Sequence, residues 1–222
     1  KDPVATIGYK AVAVNVSDCL AKGATPAAYW LGLALPKNVD EKWFADFSTG
    51  LKEANHHFGC SIAGGDTTAH NSSGVIISVT MLGYVPDGTM VKRSGAQAED
   101  DIYVTGHLGD SALGLFCLNN KLMNHPQLTE IYTKPSPPFG FQNILLNIAT
   151  AAADISDGLL ADVEHVCKAS SLGCIINHDA LPVSKAAQKF LNEFPEQRPL
   201  VWNGGDDYQI VFTANKQNRS QI

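Results

Sequence analysis

The chain has 222 residues, with 16 Lys and Arg against 22 Asp and Glu and a formal net charge of -6 at pH 7. Because it is acidic and has no basic run among aromatic residues, the sequence argues against a nucleic-acid-binding surface. No apolar stretch is long enough for a membrane span or a signal peptide. Five scattered cysteines without a C-x-x-C pair favour reduced thiols, so the sequence predicts a cytoplasmic protein without membrane partners.

The N-terminal part of the chain shows helical and strand patterns in turn. Apolar residues at three- and four-residue spacing indicate helices, and short apolar or alternating runs bounded by glycine or proline indicate strands. Ile77 and Val79 alternate with Ser78 and Thr80, which is typical of a half-buried strand. The predicted elements are a helix at 9–22, a strand at 29–36, a helix at 40–58 and strands at 60–68 and 74–85.

A polar stretch at 86–101 predicts a crossing to a second unit, so we expect an N-terminal domain at 1–95 and a C-terminal domain at 96–222. The strand at 74–85 follows its predecessor too closely for a helical crossover, which favours mixed sheets over purely parallel ones. The predicted fold class is therefore α/β with α+β layers, in which helices pack on mixed sheets. The predicted elements of the second unit are a strand at 101–106, a helix at 111–119, a helix near 141–149, a strand ending at Asp154, a helix beginning at Asp157, an apolar segment at 173–177, a helix near 184–193 and a strand at 207–214.

Acidic residues recur at turns that also carry Gly, Ser or Thr. Carboxylates placed this close repel one another unless a positive charge lies between them, and oxygen donors are the ligands that Mg²⁺ prefers. The sequence has no phosphate-loop or dinucleotide-binding motif, so a nucleotide site must be built in another way. Each Asp alone is better explained as a turn or helix-capping residue, and the prediction of a magnesium-phosphate site depends on the whole set. The turns are "NVSD" (Asp18), "GGDTT" (Asp66), "DISDG" (Asp154 and Asp157) and "GGDDY" (Asp206 and Asp207).

Two further segments allow a binding and a structural interpretation. The turn "TGHLGDSALGL" (105–115) offers helix N–H groups to an anion, or else Gly109 shapes a tight turn and Asp110 or Ser111 caps the helix. The second interpretation is favoured for a single motif of this kind. Arg93, which follows a predicted strand, suits a clamp on phosphates but also suits a solvated surface.

These motifs occur together in an order that is specific. "NVSD", "GGDTT", "RSGA", "GDSA", "DISDG" and "GGDDY" have about the spacing found in the thiamine-monophosphate kinase family, and the resemblance covers nearly the whole chain. That family belongs to the ATP-dependent synthetase superfamily typified by aminoimidazole ribonucleotide synthetase. The resemblance implies the two-domain fold of that superfamily, a homodimer joined through the N-terminal domains, and an active site between the domains across the dimer.

The resemblance also implies a reaction and the residues that serve it. In this family the γ-phosphate of ATP moves to thiamine monophosphate, giving thiamine diphosphate and ADP, with several Mg²⁺ ions. No catalytic residue beyond the metal ligands is implied, because a phosphate acceptor is already largely deprotonated at neutral pH. Matched position by position, the implied metal ligands are Asp18, Asp66, Asp154 and Asp157, the ATP contacts are Gly65, Asp66, Arg93 and Ser156, and the substrate contact is Asp206, where the family has a glutamate.

Two alternatives stay open at this point. The chain resembles other ATP-dependent synthetases of the superfamily, which activate an amide or a selenide. A non-catalytic binder of nucleotide or thiamine phosphate is also compatible with the shorter side chain at Asp206. The family's upstream G-D-D segment and its C-terminal aromatic, which stacks on thiamine, do not lie within these 222 residues.

Overall fold

The computed structural model describes residues 2–222 and contains two three-stranded sheets with helices packed against them. Short 3-10 turns lie at 178–180, 195–197 and 216–220. In chain order the elements are α1 (Val4–Leu20), β1 (Thr25–Pro36), α2 (Glu41–Phe58), β2 (Ser61–His70), β3 (Ile76–Tyr84), β4 (Asp101–Val104), α3 (Asp110–Asn119), α4 (Pro126–Thr133), α5 (Gln142–Ile148), β5 (Ala149–Asp154), α6 (Leu159–Ser170), α7 (Lys185–Glu193), α8 (Leu200–Asn203) and β6 (Ile210–Ala214).

The first sheet confirms the predicted mixed topology. β1 lies at its centre, parallel to β2 and antiparallel to β3. Helix α2 supplies the crossover that a parallel pair requires, and β3 returns antiparallel after a short turn. Ile77, Val79 and Met81 face the core while Ser78 and Thr80 face away, as the alternating pattern predicts.

The second sheet has the order β4-β6-β5 and both of its strand pairs are antiparallel. Ile210 and Phe212 of β6 belong to the same buried cluster as Val12 and Val16 of α1. A second cluster, which contains Leu113, fills the space between β5, β6 and the helices of the C-terminal half. The first cluster thus includes side chains from both halves of the chain. Helix α1 lies against β5, which brings the turn "NVSD" close to the turn "DISDG". The boundary at residue 95 stays a prediction.

Helices α1 and α2 pack closely because glycines lie at their contact. A β-carbon at Gly8 would press on the carbonyl oxygen of Phe47, and one at Gly50 would press on the carbonyl oxygen of Ala5. The apolar face predicted for the first helix is buried and includes Tyr9 and Leu20. Asp18 lies in the last turn of this closely packed helix.

The structure differs from the predicted elements at several positions. Helix α4 was not predicted, because its apolar pattern covers only 8 residues and its main signal is a proline at the first helical position. Helix α6 begins at Leu159 rather than at Asp157, since Gly158 adopts φ 107 before it. The apolar segment 173–177 takes no regular structure. None of the helices in residues 2–222 combines the length and the apolar character that a membrane crossing requires.

Candidate functional site

Asp18 and Asp154 form the centre of the candidate site. Asp18 lies in the last turn of α1 and Asp154 ends β5, and the neighbouring Ser17 Oγ donates to Asp154 Oδ2 at 2.9 Å. Burial, followed by the negative charge of Asp154, raises the pKa of the Asp18 carboxyl above its ordinary value. A pair of carboxylates in this state is stabilised by any cation that lies between them.

The turn "DISDG" is held in place by an aspartate that the sequence did not single out. Asp162 Oδ2 accepts the backbone N–H of Ser156 at 3.0 Å and that of Asp157 at 3.1 Å. Asp162 is buried, and burial is the main reason why the pKa of its carboxyl is raised. Asp157, Asp162 and His165 each offer one ligand atom, and these atoms lie within 4.8 Å of one another. The predicted ligand Asp157 thus belongs to a second acidic cluster, next to the pair of Asp18 and Asp154.

The turn "GGDDY" lies directly against "DISDG". The backbone N–H of Asp206 donates to the carbonyl oxygen of Ser156 at 2.9 Å, and that of Tyr208 donates to Ile155 at 2.8 Å. Asp206 and Tyr208 both have positive φ, 66 and 51, a conformation that side chains other than glycine adopt only when their surroundings impose it. The two turns therefore form one unit, and the position of Asp206 depends on that of Ser156.

Asp207 anchors this unit to the N-terminus of α3. The backbone N–H of Gly109 donates to both of its carboxylate oxygens, at 3.0 and 2.9 Å. Gly109 has φ 81, which confirms the tight turn expected there, but the group that accepts from the helix N-terminus comes from Asp207 and not from Asp110 or Ser111. Burial raises the pKa of Asp207 to about 7. A carboxylate of the chain itself thus occupies the position that an external anion would take.

The raised pKa of Asp207 predicts a pH dependence of stability. Because folding raises this pKa, the folded protein binds more protons than the unfolded chain between about pH 4 and pH 7, so stability falls as the pH rises through that window. Asp207→Asn removes this contribution. We expect the difference in free energy of unfolding, wild type minus Asp207→Asn, to decrease between pH 5 and pH 7.5 in urea titrations. A difference that is constant with pH would contradict the assignment, since other titrating groups cancel between the two proteins.

Asp206 lies beside a cleft that has an aromatic wall. Lys10 Nζ donates to Asp206 Oδ2 at 3.0 Å and lies 3.8 Å above the ring of Tyr132, while the Tyr208 hydroxyl donates to Asp206 Oδ1 at 2.7 Å. The cleft has a volume of about 350 Å³ and is also lined by Ile77. A larger groove of about 780 Å³ elsewhere is lined by none of the predicted site residues. The predicted substrate contact therefore lies beside a small cleft that combines aromatic rings and charge.

Arg93 reaches the site on an irregular segment that ties α1 to β5. In this segment the N–H of Val91 donates to the carbonyl oxygen of Lys22 at 3.1 Å, and the carbonyl oxygen of Lys92 accepts the N–H of Ala152 at 3.0 Å. The side chain of Arg93 is exposed, and its charge lowers the pKa of Asp18, against the larger effect of burial. The structure therefore brings this predicted phosphate clamp close to the carboxylate pair.

Within residues 2–222, no hydrogen bond or salt bridge joins Gly65 or Asp66 to these groups. Both are on the edge strand β2, where Asp66 pairs with Gly32. The Asp66 carboxylate is exposed and accepts the N–H of Thr67 at 2.9 Å. Gly65 has φ 154, and a β-carbon there would overlap the carbonyl oxygen of Leu31, so only glycine fits. Their part in the site stays a prediction.

Comparison with known proteins gives consistent results along the whole chain. Residues 1–85 match the family model described as AIR synthase related protein, N-terminal domain. The thiamine-monophosphate kinase of Salmonella typhimurium is 40% identical over 228 residues, which cover 100% of this chain and 68% of that protein. Similarity therefore extends well beyond the N-terminal region that the family model describes.

Solved structures show the same similarity in three dimensions. The thiamine-monophosphate kinase of Stenotrophomonas maltophilia superimposes with a TM-score of 0.92 at 34% identity, covering 99% of this chain and 71% of that one. A structure described as AaThiL complexed with AMPPCP and TMP gives a TM-score of 0.91 at 30% identity, covering 96% of this chain and 70% of that one. Both the fold and the sequence of this chain are thus similar to those of the same enzymes.

Proposed function

This chain belongs to the thiamine-monophosphate kinase family and is a kinase that phosphorylates thiamine monophosphate; we propose that its active site is built around Asp18 and Asp154. One observation carries this proposal. Ser17 and Asp154 are 137 residues apart in sequence, yet they are joined by a buried hydrogen bond that sets Asp18 beside Asp154. The two motifs that would share a phosphate-bound cation therefore meet in the folded chain.

Divalent cations fit the residues at this site. Asp18 and Asp154 would hold one, and Asp157 would contribute from the neighbouring acidic cluster, with Asp66 supplied by the first sheet. The raised pKa of Asp18 supports this proposal, because its causes are burial first and then the negative charge of Asp154, which a cation between the two carboxylates would offset. Mg²⁺ bound there supplies positive charge against the repulsion between donor and acceptor phosphates.

The chain's own groups would position ATP. Arg93 would pair with phosphate oxygens as a planar, two-pronged donor. Ser156, between the two carboxylates of its turn, and Gly65 with Asp66 on β2 would complete the nucleotide contacts. Phosphoryl transfer depends mainly on positioning and charge compensation, so a rigid arrangement of these residues is what the reaction needs. The hydrogen bonds from Ser156 and Asp157 to Asp162 support such rigidity.

The cleft beside Asp206 would receive the acceptor substrate. Tyr132 and Tyr208 offer ring faces and edges, and Asp206 offers a carboxylate to a cationic ring system such as the thiazolium of thiamine. Lys10 now occupies the cation position over the Tyr132 ring, so the incoming substrate would displace it or bind next to it.

We further propose that two copies of the chain associate through the first sheet. Large apolar side chains are exposed on or beside β1, β2 and β3. An exposed apolar sheet surface of this kind is normally covered by a partner. Light scattering is expected to give twice the mass of the chain, and a monomer at micromolar concentration would contradict the proposal. The exposed side chains are Trp30, Ile62, Ile76, Leu82 and Tyr84.

A direct assay tests the function. The full-length protein is incubated with ATP, Mg²⁺ and thiamine monophosphate, and the products are separated by chromatography. We expect thiamine diphosphate and ADP in equal amounts. ATP consumption without thiamine diphosphate would favour another synthetase of the superfamily, and binding of thiamine monophosphate without any turnover would favour a non-catalytic relative.

A further inference from the structure

The ammonium of Lys22 is a buried charge near Asp18 and Asp154. The Nζ atom of Lys22 is inaccessible to solvent and finds no hydrogen-bond partner among residues 2–222. Such a group is costly, because an ammonium loses its hydration on burial and here receives no hydrogen bond in return. Burial first, and then the charge of Arg93, lower the pKa of Lys22, while Asp154 and Asp18 oppose this effect.

The backbone of Lys22 is fixed next to the site. Its N–H donates to the carbonyl oxygen of Cys19 at 3.0 Å, in the turn that ends α1, and its carbonyl oxygen accepts the N–H of Val91 at 3.1 Å. The segment that begins at Val91 also contains Arg93. A backbone hydrogen bond therefore ties Lys22 to the segment that carries Arg93.

A purely structural ion pair does not explain Lys22. Asp18 and Asp154 are near enough to influence its pKa, yet neither accepts a hydrogen bond from its ammonium. Its donors thus remain unsatisfied, although two carboxylates and the Arg93 guanidinium are near enough to act on its charge. Phosphate oxygens are the acceptors that a lysine and an arginine together would bind at a kinase site.

We propose that Lys22 is a substrate ligand of this active site and that its ammonium donates to a phosphate oxygen of bound ATP or thiamine monophosphate. This proposal rests on the proposed kinase function. The sequence signal was available, since Lys22 lies only four residues after Asp18, in the turn that ends the first helix, but a single lysine at a helix end is usually a surface residue.

Lys22→Met tests the proposal, because methionine keeps the length of the side chain and removes its charge. We expect kcat/KM to fall about 10- to 100-fold, the range set by a charge-assisted hydrogen bond. A rise in KM for ATP, or for thiamine monophosphate, identifies which phosphate Lys22 contacts. Lys22→Arg is expected to recover part of the loss, and Lys52→Met, a change of an exposed lysine on α2, is expected to have none.

Thermal unfolding and calorimetry separate this role from a structural one. Without ligands Lys22→Met is expected to unfold at the same or a higher temperature, since it removes a buried, unpartnered charge. In calorimetry, weaker binding of a non-hydrolysable ATP analogue or of thiamine monophosphate by Lys22→Met, each ligand titrated alone, supports the proposal. This holds even if the wild type makes no thiamine diphosphate, because that failure would contradict only the kinase function. Unchanged kinetics and affinities in Lys22→Met would overturn the proposal. A lower unfolding temperature of Lys22→Met, with no recovery of kcat/KM in Lys22→Arg, would also overturn it.

Discussion

Asp154→Asn is expected to reduce kcat/KM by at least about 1,000-fold while the protein remains folded. The substitution keeps the size of the side chain and one oxygen that can accept from Ser17 Oγ, so the buried contact between α1 and β5 survives. It removes the charge that, together with Asp18, would hold a divalent cation. The negative charge of Asp154 also contributes to the raised pKa of Asp18, so its loss relieves a repulsion in the cation-free protein.

Two measurements together identify the cause of that loss. In the absence of Mg²⁺ the variant is expected to unfold at the same or a higher temperature than the wild type. Added Mg²⁺ with an ATP analogue is expected to stabilise the wild type and to stabilise the variant much less, because ligands stabilise only the state that binds them. Asp87→Asn, a change of an exposed aspartate, serves as the control. Turnover near the wild-type level at saturating Mg²⁺ would contradict the role of Asp154.

The local elements of the fold were predictable because each is encoded within a few neighbouring residues. Apolar spacing specified the buried face of α1, alternation specified the core-facing side of β3, and Gly59 ends α2 in a left-handed conformation. Helix α4 was missed because two turns give too few apolar positions to set a period. The apolar segment 173–177 shows the converse limit, since apolar residues there do not produce a strand.

The site was predictable only where the residues belong to a recognisable motif. Asp18 and Asp154 were identified from resemblance, but their meeting depends on α1 packing against β5, a contact between residues far apart in sequence. Asp162 was missed, and Asp207 was placed in the acidic set without its structural role, since each acts by accepting backbone N–H groups from another part of the chain. Nothing in the local sequence marks such an acceptor, because its partners are set by the tertiary fold. Lys22 was missed for a related reason, since its burial is decided by the segment that crosses it.

Gly205→Ala is expected to separate the two turns that form the site. A β-carbon at Gly205 would overlap the carbonyl oxygen of Ser156, and that backbone cannot move away freely. The N–H of Ser156 is held by Asp162, and its carbonyl oxygen accepts the N–H of Asp206. Overpacking of this kind costs about 1–3 kcal/mol, which corresponds to a fall in unfolding temperature of about 2–12 °C for a chain of this size.

Activity should fall further than stability does. Displacing Asp206 and Ser156 by a fraction of an ångström misaligns donor and acceptor phosphates, so we expect kcat/KM to drop about 100-fold at a temperature where the variant is fully folded. Gly173→Ala is the matched control, because Gly173 has no atom within 4 Å of its β-carbon position and no positive φ. If Gly205→Ala lost stability but kept its activity, the two turns would not need their present contact for catalysis. A loss of activity in Gly205→Ala alone would instead show that the contact between the turns aligns the reacting phosphates.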